Sequence, residues 1–128
     1  MLIINDRNYE EVEKFIDYDL FEGRVNNKKR KGRVLYITLK TNDFIIGIET
    51  VYDEKWIKEL KINDKKDITK YLVGLPYDDK KEFKIYLLDK GICTINRIDD
   101  NSFEFSLNGV FKECDELLKI EYYHIFKI

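Results

Sequence analysis

From Glu116 to Ile128 the chain alternates. Leu118, Ile120, Tyr122, His124, Phe126 and Ile128 share one parity; Leu117, Lys119, Glu121, Tyr123, Ile125 and Lys127 share the other. Successive side chains of a strand point to opposite faces, so this run predicts a strand with one face on a core and the other on solvent or a partner. Three further strand-like runs precede it: Phe83 to Leu88, Gly91 to Ile98 and Ser102 to Leu107. Their breaks, Asp89-Lys90-Gly91, Asp99-Asp100-Asn101 and Asn108-Gly109, are rich in turn-forming residues. Consecutive strands on short connections pair antiparallel, which predicts a C-terminal meander.

Earlier segments continue the theme. Leu2-Ile3-Ile4 is a short first strand ended by Asn5-Asp6-Arg7-Asn8. Arg33 to Lys40 and Phe44 to Val51 alternate around Thr41-Asn42-Asp43, a hairpin pattern. Leu20 to Val25 reads as a strand with a bulge at Gly23, and Asn26 to Gly32 as a polar, basic connection. Two segments carry helical spacing. Tyr9, Val12, Phe15 and Ile16 recur at three and four residues behind Asn8, predicting a helix to about Asp17. Trp56, Ile57 and Leu60 do the same behind Asp53. Ile62 to Pro76 fits either a helical turn or an irregular strand, and Leu75 to Asp79, holding the single proline, reads as an exposed loop. The expected architecture is α+β and strand-rich. It is mainly an antiparallel sheet or small barrel of seven to eight strands with one or two short helices, in a single globular domain over residues 1–128.

Composition sharpens this picture. Alanine, the best helix former, is absent, while 17 isoleucines and 18 aromatic residues favour strands. Glutamine is absent too and lysine outnumbers arginine 18 to 5, the imprint of AT-rich codons, which points to a bacterial or phage genome. A formal charge of −2 gives no global support for a nucleic-acid or membrane partner. No apolar run approaches the roughly 18 residues of a membrane span. Nor does the start carry a signal-peptide pattern, so the expected location is cytoplasmic. Cys93 and Cys114 stand 21 residues apart beside one histidine in the whole chain. A structural zinc site needs about four such ligands, so both cysteines read as reduced thiols.

The residues that carry chemistry are sparse. Arg24, Lys28, Lys29, Arg30, Lys31 and Arg33 put six cations into ten residues, a phosphate-gripping pattern or a solvated hairpin tip. Six acids between residues 9 and 22 offset it locally. His124, in an apolar row, reads as a core residue rather than a general base. The acid pairs Asp53-Glu54, Asp78-Asp79 and Asp99-Asp100 sit where Asp serves turns and caps. Acids flank Cys114 and would raise its pKa, against a reactive thiolate. No residue is assigned a catalytic or metal-ligating role, no cofactor is expected, and an enzyme ranks last.

Nine tyrosines exceed what one core needs, since each buried hydroxyl requires a partner. Tyr71, Tyr77, Tyr86, Tyr122 and Tyr123 are therefore expected to lie partly exposed, as in protein-binding interfaces. The leading expectation is a noncatalytic protein-binding domain of the inhibitor or immunity type. Its candidate binding residues include Tyr123 and Tyr77. The alternative is a small β-barrel that binds nucleic acid through the basic hairpin Arg24 to Arg33, with Lys28, Lys29, Arg30 and Lys31 as contacts.

Overall fold

The computed structural model describes residues 1–11, 13–25, 27–52 and 60–127. Among them ten strands form one antiparallel sheet: β1 (Leu2–Ile4), β2 (Arg7–Tyr9), β3 (Glu13–Val25), β4 (Lys28–Lys40), β5 (Ile45–Tyr52), β6 (Lys65–Asp67), β7 (Leu72–Asp78), β8 (Phe83–Arg97), β9 (Ser102–Glu113) and β10 (Glu116–Lys127). Their order is β2-β1-β10-β9-β8-β7-β5-β4-β3, with β6 taking over beside the second half of β8. The only helical element among the described residues is a single 3-10 turn, Thr69–Tyr71. The α+β expectation is therefore corrected to an all-β fold.

Short turns set the register. Ile4 pairs with Arg7 across Asn5 and Asp6, whose φ angles of 49° and 66° suit the tight hairpin turn that matches strand twist. The β4–β5 connection is held by Thr41, whose hydroxyl donates to the Phe44 carbonyl at 3.1 Å and accepts the Phe44 amide at 3.1 Å. Asp99 closes the β8–β9 turn by accepting the Asn101 amide at 2.8 Å.

Several local expectations fail. The predicted helix from Tyr9 to Asp17 is strand at Tyr9, the end of β2, and again from Glu13, because all thirteen residues of β3 pair in unbroken register with β4. Those ladder bonds and the strand propensity of Phe15, Ile16 and Tyr18 outweigh a local three-four spacing. The same register leaves no bulge at Gly23 and makes Lys28 to Gly32 of the supposed connection strand. Val25 pairs directly with Lys28, and Asn27 takes a φ of 64°. Leu75 to Asp78 lies in β7 rather than a loop, with Pro76 opposite Ile85. The breaks at Asp89-Lys90-Gly91 and Asn108-Gly109 lie inside β8 and β9. The first is a bulge between Leu88 and Lys90, and in the second Gly109 pairs with Gly91. The expected helix from Asp53 to Leu60 falls on residues 53–59, outside the described residues.

The sheet curls into a half-barrel. Tyr9 of β2 packs edge-on against Phe44 at the head of β5, 4.9 Å between ring centroids, although five strands lie between them in the sheet. The concave face is the core: Ile37, Leu39, Ile46, Ile48, Leu75, Tyr86, Cys93, Phe105, Leu107, Phe111, Ile120 and Tyr122 are buried there. Each large apolar side chain so buried contributes about 1.5–3 kcal/mol. In β10 the inward parity is as expected for Leu118, Ile120, Tyr122 and Phe126.

Candidate functional site

One end of the half-barrel holds a cleft of about 290 Å³, walled by strand ends that are distant in sequence. Its base is an aromatic chain. Phe44 lies 5.1 Å from Tyr77, and Tyr77 meets Tyr86 edge-on at 6.1 Å. The Arg7 guanidinium sits over the Tyr9 ring at 5.3 Å. At the rim, Lys84 Nζ donates to Glu116 Oε2 and lies 3.4 Å from Glu82.

This cleft has the shape of a small-molecule site but not the chemistry of an active one. The Glu116 carboxylate, bonded to Lys84, is held below its ordinary range, and Lys84 is raised by the same bond. Burial, then the neighbouring Glu116, pushes the Tyr86 phenol up to about 12, and burial also raises Tyr77. Asp79 Oδ1 is committed to the turn, accepting the amides of Lys81 at 3.0 Å and Glu82 at 2.9 Å. Each of these groups keeps its ordinary charge near neutrality, and Lys84, Glu116, Tyr86 and Asp79 are hydrogen-bonded within the chain. None is poised to exchange a proton. The cleft closes the barrel end.

The other chemistry-bearing side chains are equally occupied. The Cys93 thiol is buried and burial pushes its pKa up. Cys114 is exposed in the β9–β10 turn, where its Sγ donates to Glu113 Oε1 at 3.4 Å, which raises its pKa. Neither is an activated nucleophile. The His124 ring is half-buried on the concave face, edge-on to Phe126 at 4.8 Å. Among the described residues no group of three or more His, Cys, Asp or Glu is arranged to hold a metal ion. No helix among them is long and apolar enough to cross a membrane.

The outer face of the sheet is different. Phe83, Ile85 and Leu87 alternate outward on β8 with exposures of 62%, 53% and 58%, and Leu117 on β10 and Ile45 on β5 are 55% and 39% exposed. The registers join them. Ile45, Asp78 and Phe83 form one cross-strand row, and Leu87, Lys112 and Leu117 another. Between the rows Pro76 pairs with Ile85 and its ring covers Gly47, where an added Cβ would lie 2.9 Å from Pro76 Cγ. The result is an apolar plate on the convex face, with Asp78 and Lys112 inside its rows, Lys40 beside Ile45 at the edge of one, and the half-buried Glu49 beside Gly74 at the edge of the other. Scattered exposed apolar residues are ordinary on a protein surface, but a contiguous set of this kind marks an interface.

The proposed binding residues do not converge. Tyr123 is exposed on the outer face of β10, beyond the plate, its hydroxyl donating to Glu104 Oε2 at 2.8 Å. Tyr77 points the other way, into the cleft. Tyr86 and Tyr122 are buried, contrary to expectation. Lys28, Lys29, Arg30 and Lys31 occupy consecutive positions of β4 opposite β3. The plate itself was missed, although its signal was present. Phe83 to Leu88 carries apolar residues on both parities, and a strand with only one face on a core leaves half of them outside.

No family model matches the chain, and no curated protein or solved structure matches it either.

Proposed function

We propose that this chain is a noncatalytic protein-binding domain that docks through the outer face of β5, β7, β8 and β10. The plate of Phe83, Ile85, Leu87, Leu117 and Ile45 carries the reading. Such exposure is unfavourable in water by roughly 25 cal/mol per Å² and is relieved when a partner covers it. The paired acid and base of the cleft support a binding role over a catalytic one. An inhibitor or immunity-type protein of the cytoplasm fits this surface and the two free thiols. Ile85→Glu with Leu87→Glu tests it, because both side chains are exposed and the fold should survive. The wild type is expected to capture a specific protein that the double variant releases. Equal capture by both contradicts the reading.

One observation favours a second reading, nucleic-acid binding. Among the described residues, β4 from Lys28 to Gly32 pairs only with β3, beyond the last β4–β5 pair at Arg33 and Tyr52. Arg24 and Lys28 to Lys31 thus lie on a two-stranded ribbon, an element that a nucleic-acid groove admits. The test is salt-dependent binding to single-stranded oligonucleotides. Replacing Lys28, Lys29, Arg30 and Lys31 by serine should lower the salt slope by roughly three. Binding that survives the replacement contradicts this mechanism.

A further inference from the structure

We infer that the cleft at the barrel end binds a small zwitterion of the amino-acid class, its carboxylate on Arg7 and its ammonium on Asp79. This site lies apart from the outer plate and does not depend on it.

One end of the cleft offers donors without acceptors. Among the described residues the Arg7 guanidinium makes no ion pair, and it rests over the Tyr9 ring at 5.3 Å, a contact that restrains it. Its N–H fork remains for a carboxylate, which it can hold through two parallel hydrogen bonds. Asn5, two residues earlier, spends Oδ1 on the Lys119 amide at 2.9 Å and keeps Nδ2 to donate. The Tyr9 hydroxyl likewise has no hydrogen bond among the described residues.

The other end is acidic. Asp79 spends Oδ1 on the amides of Lys81 and Glu82, which leaves Oδ2 for a ligand. Glu82 and Glu116 share the one ammonium of Lys84, so three carboxylates meet a single lysine there. The two ends are well separated. Arg7 pairs with Ile4 and Ile4 with Ile120, while Glu116 stands four residues back along β10. Two strand spacings of about 4.8 Å and four rises of about 3.4 Å place those backbones about 17 Å apart along the sheet. Tyr77 stands between them. Its pKa is raised by burial, then by Asp79, Tyr9 and Glu116, and its hydroxyl has no hydrogen bond among the described residues. A lone anion or a lone cation would satisfy one end and oppose the other, whereas a zwitterion satisfies both. The volume of about 290 Å³ is that of roughly ten waters, which suits a ligand of about ten heavy atoms. The buried Ile4, Phe44 and Leu118 in its walls suit an apolar side chain.

NMR titration of the isotope-labelled full chain tests this, with each of the twenty common amino acids added to about 10 mM. At least one is expected to shift the backbone amides of Arg7, Tyr77 and Asp79 saturably. Its two single-charge analogues, one keeping only the carboxylate and the other only the ammonium, should each bind about tenfold or more weaker. Arg7→Gln should weaken the amino acid about tenfold without weakening the amine. Asp79→Asn, whose amide oxygen still accepts the turn's hydrogen bonds, should weaken the amino acid without weakening the carboxylate-only analogue. Thermal melts confirm that each variant is folded. Should Asp79→Asn fail to fold, Arg7→Gln, at an exposed position, still decides the question. Cleft amides that stay silent to all twenty amino acids overturn the site. So does a single-charge analogue that binds as tightly as its parent, or an amino-acid affinity indifferent to Arg7→Gln. None of these results touches the capture experiment at the outer face.

Discussion

Gly91 and Gly109 face one another across β8 and β9 at a spacing that no side chain fits. A Cβ on Gly91 would lie 2.4 Å from the Gly109 Cα and 2.5 Å from the Asn108 carbonyl, and its φ of 148° is one that L residues rarely adopt. Gly91→Ala is therefore expected to cost about 3 kcal/mol in chemical denaturation, strain and overpacking acting together. Gly74→Ala, which would meet only the tip of Ile85, should cost under about 1 kcal/mol. Glu49 offers a test of opposite sign. Burial raises its pKa, so the folded state disfavours its carboxylate. Its contribution is fully present below the unfolded value of about 4.3 and is lost as pH rises through the raised folded value. Glu49→Gln should then raise the melting temperature at neutral pH, and the gap to wild type should close on acidification. A gap that persists at low pH contradicts the assignment. Sequence reading identified neither residue's role. Asn108-Gly109 looked like a turn because a glycine required by close approach is written the same way as one required by a turn.

At the level of elements, the bulge in β8 decides which side chains face inward. Leu88 is inward, Asp89 is the extra residue, and the following parity places Cys93 and Ile95 in the core with Ile92 outside. Deleting Asp89 would leave Leu88, Gly91, Cys93 and Ile95 in regular alternation on the inward face, removing the bulge without exchanging the faces. The expected outcome is a cooperative, native-like melt, read by circular dichroism against temperature. Loss of cooperative unfolding would contradict this account of the bulge. Strand existence was legible where alternation was clean, as in β10, the β4–β5 hairpin and the β8–β9 turn. It was not legible where pairing over long separation overrode local spacing. Tyr9, Val12, Phe15 and Ile16 carry the spacing of a helical stripe, and local period cannot report that Glu13 to Val25 has a partner strand in β4. Pro76 was taken for a loop for the same reason. The space its ring fills over Gly47 is defined by a strand 29 residues earlier in the sequence.

For the whole molecule, the curl of the sheet divides the surface into regions with different chemistry. The concave side gathers the core and ends in the aromatic cleft closed by Lys84 and Glu116. The outer side carries the apolar plate, with Tyr123 and Ile125 exposed beyond it. That division explains why composition alone suggested surplus tyrosine as the binding signal. Tyr86, Tyr122 and Tyr77 serve the core and the cleft, and the exposed apolar area comes mainly from Ile, Leu and Phe. The central claim is that this plate is the docking surface. It is tested most directly by methyl NMR of isoleucine- and leucine-labelled protein titrated with the protein that the wild type captures. The account predicts shifts at Ile45, Ile85, Leu87 and Leu117, with the buried Ile37, Ile46 and Leu107 unmoved. Plate methyls that keep constant shifts through the titration, or changes confined to Ile92 and Ile125, would contradict it.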